Sequence, residues 1–249
     1  MSRFGRSMNF GCWCLLFGIS GPLMHAQGVE VSGKILSRPA EQPAGRKRPS
    51  SESELTAANV VVWLTPLKPG AVTSATPVRQ TGYRLVQKGK MFTPHLLVVP
   101  TGSQVEFPNQ DPFFHNVFSL FNGKRFDLGL YESGTSRSVR FDREGVSYIF
   151  CNIHPEMGAV VLALSTPYYA ISGENGAVAL RNVAPGSYRL NVWSENGQLA
   201  APDSSQRIVQ VSTDPVHLGD ITLQATPDPL TDHKNKFGED YEPSKDRKY

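Results

Sequence analysis

The sequence predicts an all-β protein, and three observations support this prediction. Short runs of Val, Ile, Leu, Tyr and Phe recur along the chain and are bounded by Gly, Pro, Asn and Asp. No long segment keeps the 3.6-residue apolar period of an amphipathic helix. Turn signals are closely spaced from Gly82 to Leu164, as in a Greek-key sandwich. The 249 residues are enough for one large or two small domains, and the hydrophobic fraction of 39% is ordinary for a globular protein.

The amino terminus has the pattern of an export signal. Arg3 and Arg6 precede an apolar run from Phe10 to Met24, and Ala26 is a small residue suited to cleavage. Glycine and proline interrupt this run, which is too short to cross a bilayer comfortably. We therefore expect residues 1–26 to be a signal peptide, and the mature protein to be periplasmic without a membrane span.

Loss of this signal changes both the charge and the cysteine count. Without Arg3 and Arg6, the chain keeps 23 basic and 22 acidic side chains, which is too balanced for a nucleic-acid binder. Cys12 and Cys14 are also removed, so Cys151 is the remaining cysteine and no disulfide can form within one chain. An exported thiol is protected if it binds a metal, whereas the alternative is a buried, inert cysteine.

The predicted elements before the central region are few. The stretch 28–66 holds an alternating strand from Gly28 to Leu36 and a buried strand from Asn59 to Leu64. Between them, the polar and Pro-rich stretch 37–54 predicts a mobile loop, and 66–80 predicts a linker.

The central region, 80–165, is expected to form one domain of short strands. They are predicted at 83–86, 96–99, 104–107, 115–120, 136–141, 146–151 and 159–164. A second β set follows at 166–225, with strands around 173–180 and 185–193. The charged tail 226–249 has few apolar residues, and we expect it to be disordered.

The residues that indicate a function are Cys151, His154 and Met157, together with His115 from another strand. A thiolate, two imidazoles and a thioether are the ligands of a mononuclear blue-copper site, in which the thioether is the weak axial ligand. Such a site holds Cu(I) and Cu(II) in nearly one geometry, so one electron can enter or leave with little rearrangement. The pattern predicts one copper ion and electron transfer.

Several alternatives remain open. A single histidine among aromatic residues is more often part of the core, and a single methionine is usually a packing residue. The same ligands also suit a structural zinc ion. Copper sequestration or delivery, or an adhesion module with a structural metal, would use the same residues. The second β set offers no nucleophile paired with a base, so we do not expect an enzyme.

The stretch 82–164 resembles the cupredoxins of the plastocyanin and amicyanin type, and the whole chain resembles exported methylamine-utilisation-like proteins. The resemblance depends on segments 91–94 and 105–111, on His115-Asn116-Val117, and on the short Cys151-x2-His154-x2-Met157 loop. It implies that Asn116 bridges the ligand segments by hydrogen bonds. It also implies that His154 lies nearest the surface, and that the redox partner is a protein such as a cytochrome c or a dehydrogenase.

A second resemblance is to the transthyretin-like, carboxypeptidase-regulatory type of β-sandwich. Segments 31–35 and 58–62 match its first half, and 174–180 and 185–190 match its second half. In the third segment an Ala replaces the usual Phe and a Glu replaces the usual Asp. The resemblance implies that the copper domain is inserted into a split sandwich, with a simple tandem of two domains as the alternative.

Overall fold

The computed structural model describes residues 28–38, 57–68, 82–120, 123–200, 207–226, 229–230 and 233–241. All the regular elements within these ranges are β-strands, which confirms the predicted all-β class. No helix suited to cross a membrane occurs in this part of the chain. The predicted signal peptide and nearly all of the predicted mobile loop lie outside the described residues.

The strands are short and follow one another closely. The first nine are β1 (Val29–Arg38), β2 (Val61–Pro66), β3 (Tyr83–Arg84), β4 (Val86–Gln87), β5 (Phe92–Thr93), β6 (Leu96–Pro100), β7 (Ser103–Pro108), β8 (His115–Ser119) and β9 (Phe126–Tyr131). The next nine are β10 (Ser136–Phe141), β11 (Gly145–Phe150), β12 (Gly158–Leu164), β13 (Tyr169–Ile171), β14 (Ala177–Val183), β15 (Gly186–Trp193), β16 (Gly197–Leu199), β17 (Ile208–Val211) and β18 (Val216–Ala225).

Strands from the two ends of the chain share two four-stranded sheets, ordered β14-β1-β18-β16 and β13-β2-β15-β17. Strand β1 pairs antiparallel with β14 and parallel with β18, while β2 lies between β13 and β15. One apolar core joins the sheets and includes Val31, Leu64, Leu180 and Tyr188. We call this unit the terminal sandwich.

The strands between these two sets form separate sheets. Their orders are β6-β12-β11-β8-β9, β10-β7-β3 and β4-β5. Alternate residues of β12 point to opposite sides, because successive side chains of a strand face opposite ways. Ala159, Val161 and Ala163 belong to the core of this central unit. Leu162 and Leu164 belong to a different cluster.

That second cluster joins the central unit to the terminal sandwich. Val61 of β2 packs with Val98 of β6 and with Leu162 and Leu164 of β12, and the rings of Trp63 and Trp193 flank them. At the edge of this contact, His95 Nε2 lies 2.7 Å from a carboxylate oxygen of Glu195. The two units therefore share buried apolar surface.

Two parts of the structure differ from the predictions. Strand β9 occupies a stretch for which no strand is predicted, and it pairs with β8, where His115 faces Tyr131. Residues 233–241, within the stretch predicted to be a disordered tail, form turns that contact the end of β11 and the segment after it.

Candidate metal centre

Two neighbouring strands bring the predicted donor residues together. His115 begins β8, and Cys151 follows directly after β11. These strands pair antiparallel through Phe118 and Phe150, so the start of β8 lies beside the end of β11. The sheet therefore joins two residues that are 36 positions apart in sequence.

The three donor atoms form a compact triangle. Cys151 Sγ lies 3.7 Å from His115 Nδ1 and 3.6 Å from His154 Nδ1. The two Nδ1 atoms are 3.2 Å apart. His115 and Cys151 are 0% exposed, and His154 is 7% exposed. One ion can contact all three atoms, so this group is a candidate metal centre.

Backbone hydrogen bonds close the segment 151–157, which we call the ligand loop. The amide of Met157 donates to the carbonyl of His154 at 3.0 Å, and the amide of Cys151 donates to the carbonyl of Met157 at 3.3 Å. The Met157 side chain is 0% exposed and packs in the core of the central unit, beside Cys151. The loop thus holds Met157 on the buried side.

Burial determines the protonation of the three donors. It lowers the pKa of His115, although the neighbouring Asp111 opposes this shift. It also lowers the pKa of His154, with further contributions from His115 and Lys90. Burial raises the pKa of Cys151, while the backbone N–H groups of Asn116, Ile153 and His154 lower it. The metal-free group is therefore two neutral imidazoles and a thiol, and a metal ion must displace the thiol proton.

Asp111 orients His115 and was not singled out from the sequence. Its Oδ2 accepts a hydrogen bond from His115 Nε2 at 2.9 Å and from the amide of Lys90 at 3.0 Å. Its Oδ1 accepts from the amide of Gly89 at 2.6 Å. Although burial raises the pKa of Asp111, these hydrogen bonds lower it overall, so the group is a carboxylate. The available signal was the spacing of four residues between an acidic side chain and a histidine.

Asn116 makes hydrogen bonds in two directions. Its side-chain amide donates to Asp127 Oδ1 of β9 at 2.7 Å, and its backbone N–H, rather than its side chain, donates to the Cys151 thiol. Asn116 thus joins β8 to β9 and to the thiol.

Aromatic rings shield the centre. The ring of Phe113 lies 5.2 Å from the His115 ring and 5.5 Å from the His154 ring, measured between centroids. Phe118 is buried against Phe150, whereas Phe114 is 55% exposed. Phe113 is therefore the ring that covers both imidazoles.

The fold and the donor set define an all-β protein with a candidate mononuclear metal centre. No family model matches the chain, and no curated protein matches it. Solved structures that are similar to part of it include cupredoxins and a copper-containing enzyme. The purple cupredoxin of Nitrosopumilus maritimus is 23% identical and covers 33% of this chain and 100% of its own length, with a TM-score of 0.31.

Two further structures are similar to the chain. The copper-containing nitrite reductase of Thermus scotoductus SA-01 is 23% identical over 34% of this chain and 22% of its own, with a TM-score of 0.33. The reduced form of an amicyanin mutant is 18% identical over 36% of this chain and 89% of its own, with a TM-score of 0.30. Because these TM-scores lie below 0.5, the function of this chain is inferred from its own residues.

Proposed function

We propose that this protein binds one copper ion through His115, Cys151 and His154, with Met157 as the axial ligand, and carries single electrons between protein partners. The observation that carries the proposal is the buried triangle of two imidazole nitrogens and one cysteine sulfur, with edges of 3.2, 3.6 and 3.7 Å. When bound, copper would supply the Cu(I)/Cu(II) couple.

The donor distances fit a single ion. Metal bonds are about 2.0–2.1 Å to imidazole nitrogen and about 2.3 Å to thiolate sulfur. The observed edges would let His115, Cys151 and His154 hold one ion with bonds of such lengths. A trigonal His2Cys group with a thioether nearby favours copper, whereas zinc prefers a tetrahedral set.

The surroundings favour electron transfer. His115 is fixed by Asp111, the thiol accepts three backbone N–H groups, and Phe113 covers both imidazoles. A centre that is held and shielded in this way changes little between oxidation states, which lowers the reorganisation cost of electron transfer.

The electron would enter and leave through His154, the most exposed of the three donors. Beside it in sequence are the exposed Pro155 and Glu156. Pro155 and Met91, which is 61% exposed, line one surface depression. A small, largely apolar surface of this kind suits a transient redox partner such as a cytochrome c or a dehydrogenase. The periplasm is the proposed location.

The absorption and EPR spectra of the copper-loaded protein test this proposal. An intense visible thiolate-to-Cu(II) band and a reversible one-electron wave are expected. Cys151→Ser should abolish both and keep the β fold, as seen by circular dichroism. His154→Ala should also lose the band, while the matched control His217→Ala, at a residue on β18, should keep it.

Two other outcomes would contradict electron transfer through this centre. Tight Cu(I) binding without a band or a wave would replace electron transfer by copper sequestration or delivery. A band that survives in Cys151→Ser would show that the sulfur is not a ligand, and the proposal would be wrong.

A further inference from the structure

A segment near the carboxy terminus covers one side of the ligand loop. We call residues 229–230 and 233–241 the clamp. The ring of His233 stacks on Phe150, the residue before Cys151, with centroids 4.0 Å apart and planes at 15°. At the residue that follows the loop, Leu230 packs against Gly158, where an added Cβ would lie 3.0 Å from Leu230 Cδ1. The clamp therefore contacts the residues that precede and follow the loop in sequence.

Polar contacts bind the clamp to the loop itself. The hydroxyl of Tyr241 donates a hydrogen bond to the backbone carbonyl of Cys151 at 3.0 Å, and His233 Nε2 lies 3.2 Å from the same hydroxyl. The amide of Lys236 donates to Asn152 Oδ1 at 2.9 Å. Two successive loop residues, one of them the cysteine, are thus held by groups 84 and 90 positions later in the chain.

A second connection reaches the cysteine sulfur. Lys236 Nζ lies 2.9 Å from Asp127 Oδ2, and Asp127 Oδ1 accepts the side-chain amide of Asn116 at 2.7 Å. The backbone N–H of Asn116 in turn donates to the Cys151 thiol. The clamp is therefore connected to Cys151 in two ways. Tyr241 bonds to its carbonyl, and Lys236 is linked to its sulfur through Asp127 and Asn116.

We propose that the clamp is part of the metal centre, with Tyr241 as a positioning residue that fixes Cys151 through its carbonyl. A loop anchored only at its ends could rotate this peptide and move the sulfur; the hydroxyl of Tyr241 opposes that rotation. The inference rests on the proposed function for its metal but not for its contacts.

Amide hydrogen exchange in the metal-free protein is the first test. Tyr241→Phe removes the hydroxyl and keeps the ring. The control is Asp240→Asn, at the neighbouring exposed residue, whose carboxylate pairs with Lys234 of the same segment. We expect the amides of Cys151 and Met157 to exchange roughly fivefold faster in Tyr241→Phe, the effect of losing one hydrogen bond. Unchanged exchange would overturn the proposal.

The copper-loaded protein provides the second test. Tyr241→Phe should shift the thiolate-to-Cu(II) band and the reduction potential, and a Cu(I) chelator should remove the metal roughly fivefold faster. Asp240→Asn should match the unsubstituted protein. A Tyr241→Phe protein with an unchanged band, potential and removal rate would contradict the positioning role. If the unsubstituted protein binds no copper, the proposed function fails, whereas the exchange test still decides on the clamp.

Discussion

The carboxylate of Asp111 determines which nitrogen of His115 faces the cysteine sulfur. An ionised carboxylate accepts a hydrogen bond from Nε2–H, so Nδ1 presents its lone pair to the site. The same carboxylate also accepts the amides of Gly89 and Lys90. One buried side chain therefore supports both His115 and the turn before β5.

Asp111→Asn should weaken metal binding. An amide keeps one acceptor oxygen but turns an N–H2 donor toward groups that are themselves donors, so at least one hydrogen bond is lost. Substitutions of such partners cost roughly 10–100-fold in metal affinity. Competition with a Cu(I) chelator measures the change, and Asp142→Asn, at an exposed carboxylate paired with Lys124, is the control. Equal affinities for the two variants would show that Asp111 does not orient His115.

The two buried imidazoles predict how the metal-free protein responds to acid. Burial lowers the pKa of His115 and of His154 in the folded state. Unfolded histidines titrate near pH ~6.5, so below this pH the unfolded chain binds more protons than the native protein. The free energy of unfolding should therefore fall as the pH drops from about 6.5 toward the lower native pKa values.

Urea denaturation of the metal-free protein from about pH 7.5 to about pH 4.5 measures this slope, which is at most about 1.4 kcal/mol per pH unit for each histidine. A His115→Asn, His154→Asn double variant should lose the share of these two histidines, and the slope that remains should come from His233, whose pKa burial also lowers. The pKa of Asp111 and of Asp127 is lowered overall. The stability that these two carboxylates contribute to the protein is therefore lost only at a lower pH, below the ordinary carboxyl range. A flat profile above about pH 5 would mean that the imidazoles titrate normally.

Among the elements, a tight turn before β14 depends on one glycine. Gly176 has φ of +73°, and a Cβ there would lie 2.3 Å from the carbonyl oxygen of Ile35. Its own carbonyl accepts the amide of Ile35 at 2.8 Å. The turn thereby sets the pairing of β14 with β1 in the terminal sandwich.

Gly176→Ala should destabilise the protein by about 2 kcal/mol or more, because the free-energy cost of a left-handed backbone at alanine adds to that of the clash with the backbone of Ile35. Gly173→Ala, three residues earlier, is the matched control, since its Cβ would meet only Asn175 Oδ1 at 3.7 Å. Urea denaturation followed by circular dichroism compares them. Identical midpoints would mean that the turn relaxes without loss.

Local patterns predicted most of the strands but not all of them. The stretches 96–99, 104–107, 136–141 and 159–164 have strand composition, and β6, β7, β10 and β12 occupy them. Strand β9 contains Asp127 and Gly129, which disfavour strands locally. It forms because β8 supplies a partner and because Asp127 accepts the amide of Gly129 at 2.9 Å. Pairing with another strand is not visible in the composition of β9 itself.

Local patterns also predict some residues of the candidate site but not others. Donor chemistry predicts the three side chains that converge, and the short spacing of Cys151 and His154 supports it, whereas His115 comes from another strand 36 positions earlier. Asp111 and the clamp were not predicted, because a single acidic residue or a polar tail carries no local signal. Leu230, His233 and Tyr241 are held by individual contacts with distant residues, not by a periodic apolar face.

At the scale of the whole molecule, the terminal sandwich and the central unit share a buried apolar contact. Trp63 and Trp193 flank it, and the third tryptophan of the chain, Trp13, lies within the predicted signal peptide. Tryptophan fluorescence of the processed protein therefore reports on this contact. Strand β12 serves both cores, since Leu162 faces the contact and Val161 faces the core that contains Cys151.

Comparing Leu162→Ala with Val161→Ala distinguishes the roles of the two faces of β12. Removing the Leu162 side chain, which is 1% exposed, leaves a cavity at the contact and should cost about 2–5 kcal/mol. It should also change the tryptophan emission, because the rings of Trp63 and Trp193 lose part of the apolar packing around them. Val161→Ala, the matched control one residue earlier, should destabilise the protein without changing that emission, because its cavity lies on the opposite face. Fluorescence spectra and urea denaturation of both variants test this. An emission change in Val161→Ala alone would mean that the two units meet elsewhere.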